Sequence, residues 1–301
     1  MNILITGGAG FVGKNLVRIM LKRGFKPQQI TVIDKDKKGI DYLKKYKINL
    51  FCHDLSEKGI WELNFRNQDL IINLAAQISA NDYLPFKKNN IDATKNIVEA
   101  CHKNKIKKII HFSSASVLSV RKDYYAKTKK AAEEIIKKSR MNYIMLRPSM
   151  MFGLLDNKNI GWLIKFSRII PIFPIPGNGK YPRQPIYVDD VCELVIKLAK
   201  SFEKHKNKIY SINGKMLDFG YMCRTVVKNV GGFRTAINFP VPLFRFGMVV
   251  ANLIWPKFKF TPDQLDSLTS GDKFDQWEWW KDFNIKLTSF EEGVGRMVKE
   301  M

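Results

Sequence analysis

Tyr125 and Lys129 stand four residues apart, and Ser113-Ser114-Ala115-Ser116 precedes them. A free phenol, with a pKa of about 10, is a poor base at neutral pH. A cation one helical turn away favours the phenolate, and i, i+4 spacing puts both groups on one helix face. A serine hydroxyl beside them can hydrogen-bond a substrate oxygen and share the proton. The trio Ser114, Tyr125 and Lys129 therefore suits hydride transfer between a carbinol or ketone and a nicotinamide ring, with Tyr125 as general acid or base. With ten tyrosines and 39 lysines in 301 residues, about one such tyrosine–lysine match is expected by chance, so position must carry the argument. Tyr125 opens a helix-favouring run, Ala-Lys-Thr-Lys-Lys-Ala-Ala-Glu-Glu-Ile-Ile. The other match, Tyr83 to Lys87, contains Pro85, which argues against a helix there and against a shared face.

A second constellation sits at residues 6–13, Thr6-Gly7-Gly8-Ala9-Gly10-Phe11-Val12-Gly13. In the spacing of Gly7, Gly10 and Gly13, one glycine makes a tight turn. Another lets backbone approach a pyrophosphate, and the third lets helix and strand pack closely. Free N–H groups at the following helix start then hold the phosphates. Asp34 lies 21 residues beyond Gly13. A carboxylate there accepts from adenosine ribose hydroxyls and repels a 2′-phosphate, which favours NAD. Lys35 and Lys37 adjoin it and soften that repulsion, which leaves NADP open.

These residues need a scaffold, and the first half of the chain supplies its rhythm. Asn2–Thr6, Ile30–Ile33, Ile48–Cys52, Asp69–Leu74, Lys108–Ser113 and Tyr143–Leu146 read as strands, and 11–23, 91–103 and 125–139 as helices. Strand, helix, strand in this order means parallel strands with right-handed crossovers, an α/β Rossmann-type doubly wound sheet. After Met150 the rhythm changes. Ile170-Pro-Ile-Phe-Pro-Ile-Pro-Gly-Asn-Gly reads as a loop, and 188–199 as a helix with Asp189 and Asp190 in its first turn. Thr261-Pro-Asp-Gln looks like a helix start, and Thr288-Ser-Phe-Glu291 has capping-box spacing before a last helix. We expect a dinucleotide-binding domain over 1–165, with contributions from about 184–212, and a smaller, mainly substrate-binding region over 166–301.

Composition bounds the rest. A hydrophobic share of 45% is that of a globular chain. No apolar run reaches the roughly 18 residues of a membrane helix; the nearest, 246–255, reads as a buried or interfacial helix. The start lacks signal-peptide features, and four scattered cysteines suggest neither zinc nor a disulfide framework, so no metal and a reducing cytoplasm are expected. The formal net charge of +23 is spread as lysine over the whole chain. That reads as a solvated surface whose field draws in an anionic substrate, with no nucleic-acid partner expected.

Taken together, these pieces resemble the extended short-chain dehydrogenase/reductase family, in its nucleotide-sugar epimerase/dehydratase branch. The resemblance runs from Met1 to about Ala199. It rests on Thr6–Gly13, Asp34, His53-Asp54-Leu55, Asn73–Ala76, Asn90 ahead of Thr94, Phe112–Ser114, Tyr125/Lys129, Leu146-Arg-Pro148 and Tyr187–Asp190. It implies that Gly7, Gly10, Phe11, Val12 and Gly13 hold the pyrophosphate and Asp34 the ribose. Asp54 and Leu55 flank adenine, Leu74, Ala75, Ala76 and Asn90 line the cofactor cleft, and Pro148 sits near the carboxamide. Lys129 holds the nicotinamide ribose, Tyr125 is the acid/base, Ser114 and Ser116 meet the substrate, and Arg183 grips its diphosphate. Family members often dimerise through helices corresponding to 91–103 and 125–139, so a homodimer is implied.

Two departures stand out. Ala115 and Ser116 occupy the place of the acidic pair of sugar 4,6-dehydratases, and Met150 that of an asparagine common in epimerases. The expected activity is NAD-dependent 4-epimerisation of a nucleotide sugar through a transient 4-keto sugar. The alternative is NAD(P)H-dependent reduction of a 4-keto-deoxy sugar nucleotide. A non-catalytic binding module for RNA or protein is a third reading, motivated by charge and opposed by the intact trio.

Overall fold

The computed structural model describes residues 1–120, 123–254, 265, 268, 273–275 and 277–301. The chain divides into two compact units. The first comprises Met1–Ser149, Val188–Ile212 and Trp277–Lys286, and the second Met150–Tyr187, Asn213–Gln276 and Leu287–Met301.

Unit 1 is built on β1 (Ile3–Thr6), β2 (Ile30–Asp34), β3 (Asn49–Cys52), β4 (Leu70–Asn73), β5 (Lys108–Phe112), β6 (Asn142–Pro148) and a further strand, Lys208–Ile212. These form a seven-stranded sheet in the order Lys208–Ile212, β6, β5, β4, β1, β2, β3. Every pairing in it is parallel, with Ile5 opposite both Val32 and Ile72. The order reverses between β1 and β4, the place where doubly wound sheets open a crevice at their carboxyl edge. Leu4, Ile33, Ile71, Ile109 and Met145 join one core with helix residues Ile97, Cys101 and Ile136, while their strand neighbours Ile3 and Ile5 are also buried. Strands apolar on both sides need helices on both faces. These are α1 (Phe11–Lys22), α2 (Lys37–Leu43), α3 (Tyr83–Phe86), α4 (Ala93–Lys103), α5 (Tyr124–Lys138) and the helix Val188–Lys200. Arg18–Asp189 and Arg23–Glu193 ion pairs link α1 to Val188–Lys200. The segment 277–286 belongs here because Trp277 stacks on Tyr210 at 5.5 Å and Lys197 Nζ donates to Phe283 O at 2.9 Å.

One expectation fails in this unit. Tyr83–Phe86 is helical despite Pro85. The proline lies in the first turn, where its missing N–H has no partner to lose. A π-helical turn, Lys87–Asp92, carries the chain on into α4. Lys87 pairs with Asp92 at 2.7 Å, so this second tyrosine–lysine match is a surface contact.

In unit 2, α6 (Ile160–Ile169), the helix Phe219–Val230 and the C-terminal helix Phe290–Glu300 share a core with Phe152, Phe173 and Tyr187. The stretch read as a proline-rich loop contains a strand, Ile172–Pro176, parallel to Thr235–Phe239. Two of its prolines, Pro174 and Pro176, occupy alternate positions, where the missing donors do not interrupt the pairing. The last helix is capped one residue later than expected, with Ser289 Oγ accepting from Glu292 N at 3.1 Å. The helix start read at Thr261 lies outside the described residues. Among the described residues no helix is long and apolar enough to cross a membrane.

Candidate active site

Because β1, β2, β4, β5 and β6 run parallel, the segments that follow them gather at one edge of the sheet. The glycine loop follows β1, Asp34 ends β2, Leu74–Ala76 follow β4, Ser114 follows β5 and Pro148 ends β6.

The three glycines do different jobs. Gly7 has φ +69°, and a Cβ there would lie 2.5 Å from Ala75 N, so the turn presses on the backbone after β4. Gly13 carries the tight internal packing, since its Cβ would fall 2.4 Å from Gly8 Cα. Gly10 is exposed, and a Cβ there would meet only Gly7 O, at 3.3 Å. Gly10 also caps α1 without a side chain, so no side-chain acceptor covers the first-turn N–H groups around Phe11, Val12 and Gly13. A groove floored by bare backbone at a helix N-terminus is what a pyrophosphate needs. Asp34 braces the loop, Oδ2 accepting from Ala9 N and Oδ1 from Asp36 N, both at 2.9 Å. Burial raises its pKa, and these backbone bonds oppose the rise. Asp54 Oδ1 accepts from Ser56 Oγ at 2.6 Å, and Lys35 lies 3.3 Å from Asp54 Oδ2. Leu55 is buried in the core. Leu74 and Ala75 are half-buried and Ala76 exposed at this edge, while Pro148 is buried. These residues fit a dinucleotide, with Asp34 and Asp54 as acceptors and the loop N–H groups as donors.

Asp123 caps α5, accepting from Ala126 N at 2.7 Å, and so fixes the helix start one turn ahead of Lys129. Ser114 stands close enough to Tyr125 to favour its phenolate, and Ser114 Oγ accepts from Ser116 Oγ at 2.9 Å. Lys129 is 2% exposed and donates to Phe112 O at 2.5 Å. The electrostatics correct the simple expectation that the lysine depresses the phenol. Burial pushes Tyr125 up to about 12, and the opposing effect of the Ser114 hydroxyl does not offset this. Burial also brings Lys129 down to about 8, against a smaller opposing effect of Glu133. The fold thus holds the phenol protonated, and a cationic ring brought beside it favours the phenolate.

Burying Lys129 costs stability at neutral pH. Its folded pKa lies below the ordinary 10.5, so the unfolded chain binds more protons between about pH 8 and 10.5, and stability rises with pH across that window. Wild type is expected to gain about 3 kcal/mol over Lys129→Met across this range in thermal or urea unfolding. Parallel pH profiles of the two proteins refute the buried ammonium.

The sequence reading missed the residues that hold this trio. Glu133, one turn beyond Lys129, is fully buried; it accepts from Ser113 Oγ and from Arg147 Nε and Nη2, each at 2.7 Å. These bonds lock α5 onto β5 and β6. Burial would raise the Glu133 pKa, but Arg147 and Ser113 prevail and lower it. Asn73 Oδ1 accepts from Thr6 Oγ1 at 2.8 Å, and its amide meets His111 Nδ1 at 3.1 Å. His111 is held neutral by burial and by Lys129. Asn90 bonds Gln77 on both sides, at 2.7 and 3.1 Å, and Thr128 Oγ1 at 3.0 Å. It therefore ties the loop after β4 to α5.

Arg183 lies in unit 2, where its guanidinium donates to Pro182 O at 2.7 Å and Leu268 O at 2.5 Å. Ala115 is buried, and Ser116 donates to Ser114, so neither residue directly after Ser114 is an acid or a base. Among the described residues no group of His, Cys, Asp or Glu is placed to hold a metal ion.

Residues 3–213 match the NAD dependent epimerase/dehydratase family. Among curated relatives, a UDP-N-acetylglucosamine 4,6-dehydratase (inverting) of Campylobacter jejuni is 30% identical over 147 residues, 44% of this chain and 42% of that protein. The chain spans about half or less of the first dehydratase relatives it matches. A decarboxylating sterol-4-alpha-carboxylate 3-dehydrogenase of Candida albicans is 30% identical over 285 residues, 80% of this chain and 79% of that protein. Among solved structures, the UDP-glucose 4-epimerase of Thermotoga maritima superposes with a TM-score of 0.78 at 19% identity, covering 99% and 98% of the two chains, which establishes the shared fold. With the family matched over more than half its length, the chain is an enzyme of the NAD dependent epimerase/dehydratase family.

Proposed function

We propose that this enzyme transfers hydride reversibly between a ring carbinol and NAD, and that it does so as a 4-epimerase of a nucleotide-activated sugar. The observation that carries the reading is the placement of Ser114 beside Tyr125, with Lys129 buried one turn further along α5. Ser114 holds the substrate oxygen, and Tyr125 takes the hydroxyl proton as hydride leaves the carbinol carbon. Lys129 meets the ribose hydroxyls and carries the charge that steadies the phenolate. NAD, when bound, supplies the hydride acceptor and a positive charge near the phenol. Returning hydride to the opposite face of the ketone inverts the centre without net redox change. The family match and the names of the sugar dehydratase and epimerase relatives support the sugar; the sterol dehydrogenase shares the carbinol chemistry. The absence of an acid or base beside Ser114 argues against dehydration.

The test is a 4-deuterated UDP-hexose with NAD. Inversion at C4 with the deuterium retained there, and no accumulation of NADH, is the expected result. Stoichiometric consumption of NAD(P)H on a 4-keto sugar would instead support the reductase reading, which uses the same three groups once.

A further inference from the structure

Unit 2 holds a cavity of about 290 Å³, close to the lower end of ligand pockets, which run from roughly 300 to 1,000 Å³. Trp162, Phe166, Met222 and Phe244 contribute to its wall, and among the described residues Asn159 and Arg183 add polar side chains to it. Trp162 and Phe166 stack at 4.9 Å with an angle of 13°, giving a flat apolar slab. Two donors of Arg183 are already engaged by the Pro182 and Leu268 carbonyls. A nucleoside diphosphate placed here would leave most of its charged oxygens without donors, at a high desolvation cost. A hydrocarbon has no such requirement, and an apolar wall favours it.

The surroundings say where such a group comes from. The helix Val241–Ile254 places Phe244 on the cavity wall and Met248, one turn on, at 4% exposure. Its other side should be polar on a helix that faces water. Instead Leu243, Phe246 and Val250, spaced i, i+3, i+7, are 54%, 66% and 37% exposed. Ile172 and Ile237 add further exposed apolar surface on the paired strands of the same unit. A helix apolar on both sides, in a chain of net charge +23, suits the interface of an anionic bilayer.

We infer that the unit 2 cavity takes the hydrocarbon portion of an amphiphile carried by a bilayer, with the outer side of Val241–Ile254 resting on that bilayer. That the cavity takes a hydrocarbon does not rest on the hydride-transfer reading. The acyl or prenyl chain of a lipid and the fused rings of a sterol share the required chemistry.

The experiment uses the full chain and 11-(dansylamino)undecanoic acid as probe. Saturable binding with blue-shifted emission, sensitised by tryptophan, is expected, and Phe244→Arg weakens it about 30-fold or more. Trp162→Ala is the second variant, expected to weaken binding and to reduce sensitisation. Thermal unfolding and NAD affinity check that both remain folded. Unlabelled farnesol and cholesterol displace the probe according to which hydrocarbon fits, whereas UDP-glucose leaves it bound. Phe246→Glu leaves probe affinity within about twofold and lowers co-sedimentation with phosphatidylcholine–phosphatidylglycerol vesicles about tenfold. No saturable binding, displacement by UDP-glucose, or a concentration-dependent dimer in place of vesicle binding overturns the inference. Turnover of a nucleotide sugar without probe binding refutes this inference and leaves the catalytic reading standing. Probe binding without hydride transfer from any carbinol does the reverse.

Discussion

Tyr125→Phe is expected to lower kcat about 10²–10⁴-fold, the usual contribution of a positioned acid/base, while NAD affinity stays within about twofold. The phenol is the group whose proton can pass to and from the carbinol. Ser114 can share that proton, but a serine hydroxyl is a far weaker acid. The ring itself is retained in the variant, so the packing of α5 against the end of β5 is kept. What is lost structurally is one phenol hydroxyl, whose polar contacts are worth about 1 kcal/mol, so unfolding shifts little. The pH profile provides a second reading. The fold holds the phenol at about 12 and Lys129 at about 8. In wild type, loss of the Lys129 charge as pH rises through about 8 withdraws electrostatic support for the phenolate. The residual rate of Tyr125→Phe has no phenolate to support and is expected to lose that dependence. A Tyr125→Phe enzyme retaining more than about a tenth of wild-type kcat would remove the phenol from the chemistry.

Ser114 and the tyrosine–lysine pair were legible because their signal is local. A tyrosine and a lysine one turn apart, opening a helix-favouring run, need no tertiary information to share a face. The glycine loop was legible for the same reason, as was the parallel sheet, whose apolar strands recur at crossover spacing. What was not legible depends on register across the sheet. Glu133 reads as a surface residue in a charged run, Lys127 to Lys138. Only the pairing of β5 with β6, which sets Phe112 opposite Leu146, brings Arg147 and Ser113 to it. The direction of the Tyr125 shift was missed because desolvation depends on burial and outweighs a charge one turn away. Prolines misled twice. Pro85 was taken to exclude a helix, and Pro174 and Pro176 a strand, yet each sits where its lost donor has no partner. Arg183 reads as a diphosphate ligand by position, but the apolar wall around it comes from segments far apart in the chain, among them 160–166, 173–176 and 219–222.

Gly7→Ala and Gly10→Ala are expected to fail in different ways, and the contrast separates the loop's two duties. At Gly7 the backbone is left-handed, which costs a side-chain-bearing residue about 1–2 kcal/mol. Its new methyl would also stand 2.5 Å from Ala75 N and 2.6 Å from Ala75 Cα, backbone that β4 holds in place. Overpacking against rigid backbone adds about 1–3 kcal/mol, for a total loss of about 2–5 kcal/mol. Gly7→Ala should therefore unfold at markedly lower temperature and bind NAD poorly. At Gly10 φ is −75°, ordinary for alanine, and the methyl meets only Gly7 O at 3.3 Å. Stability should change by less than about 1 kcal/mol. The methyl instead projects over the first-turn N–H groups, where it holds the pyrophosphate off its donors. NAD affinity is expected to fall about 10- to 100-fold, the equivalent of one or two charge-assisted hydrogen bonds. Calorimetric unfolding and NAD titration on both variants measure this. Equal NAD affinity of Gly10→Ala and wild type would mean that the helix start at Phe11 does not hold the phosphates, and the cofactor would have to lie elsewhere along the sheet edge.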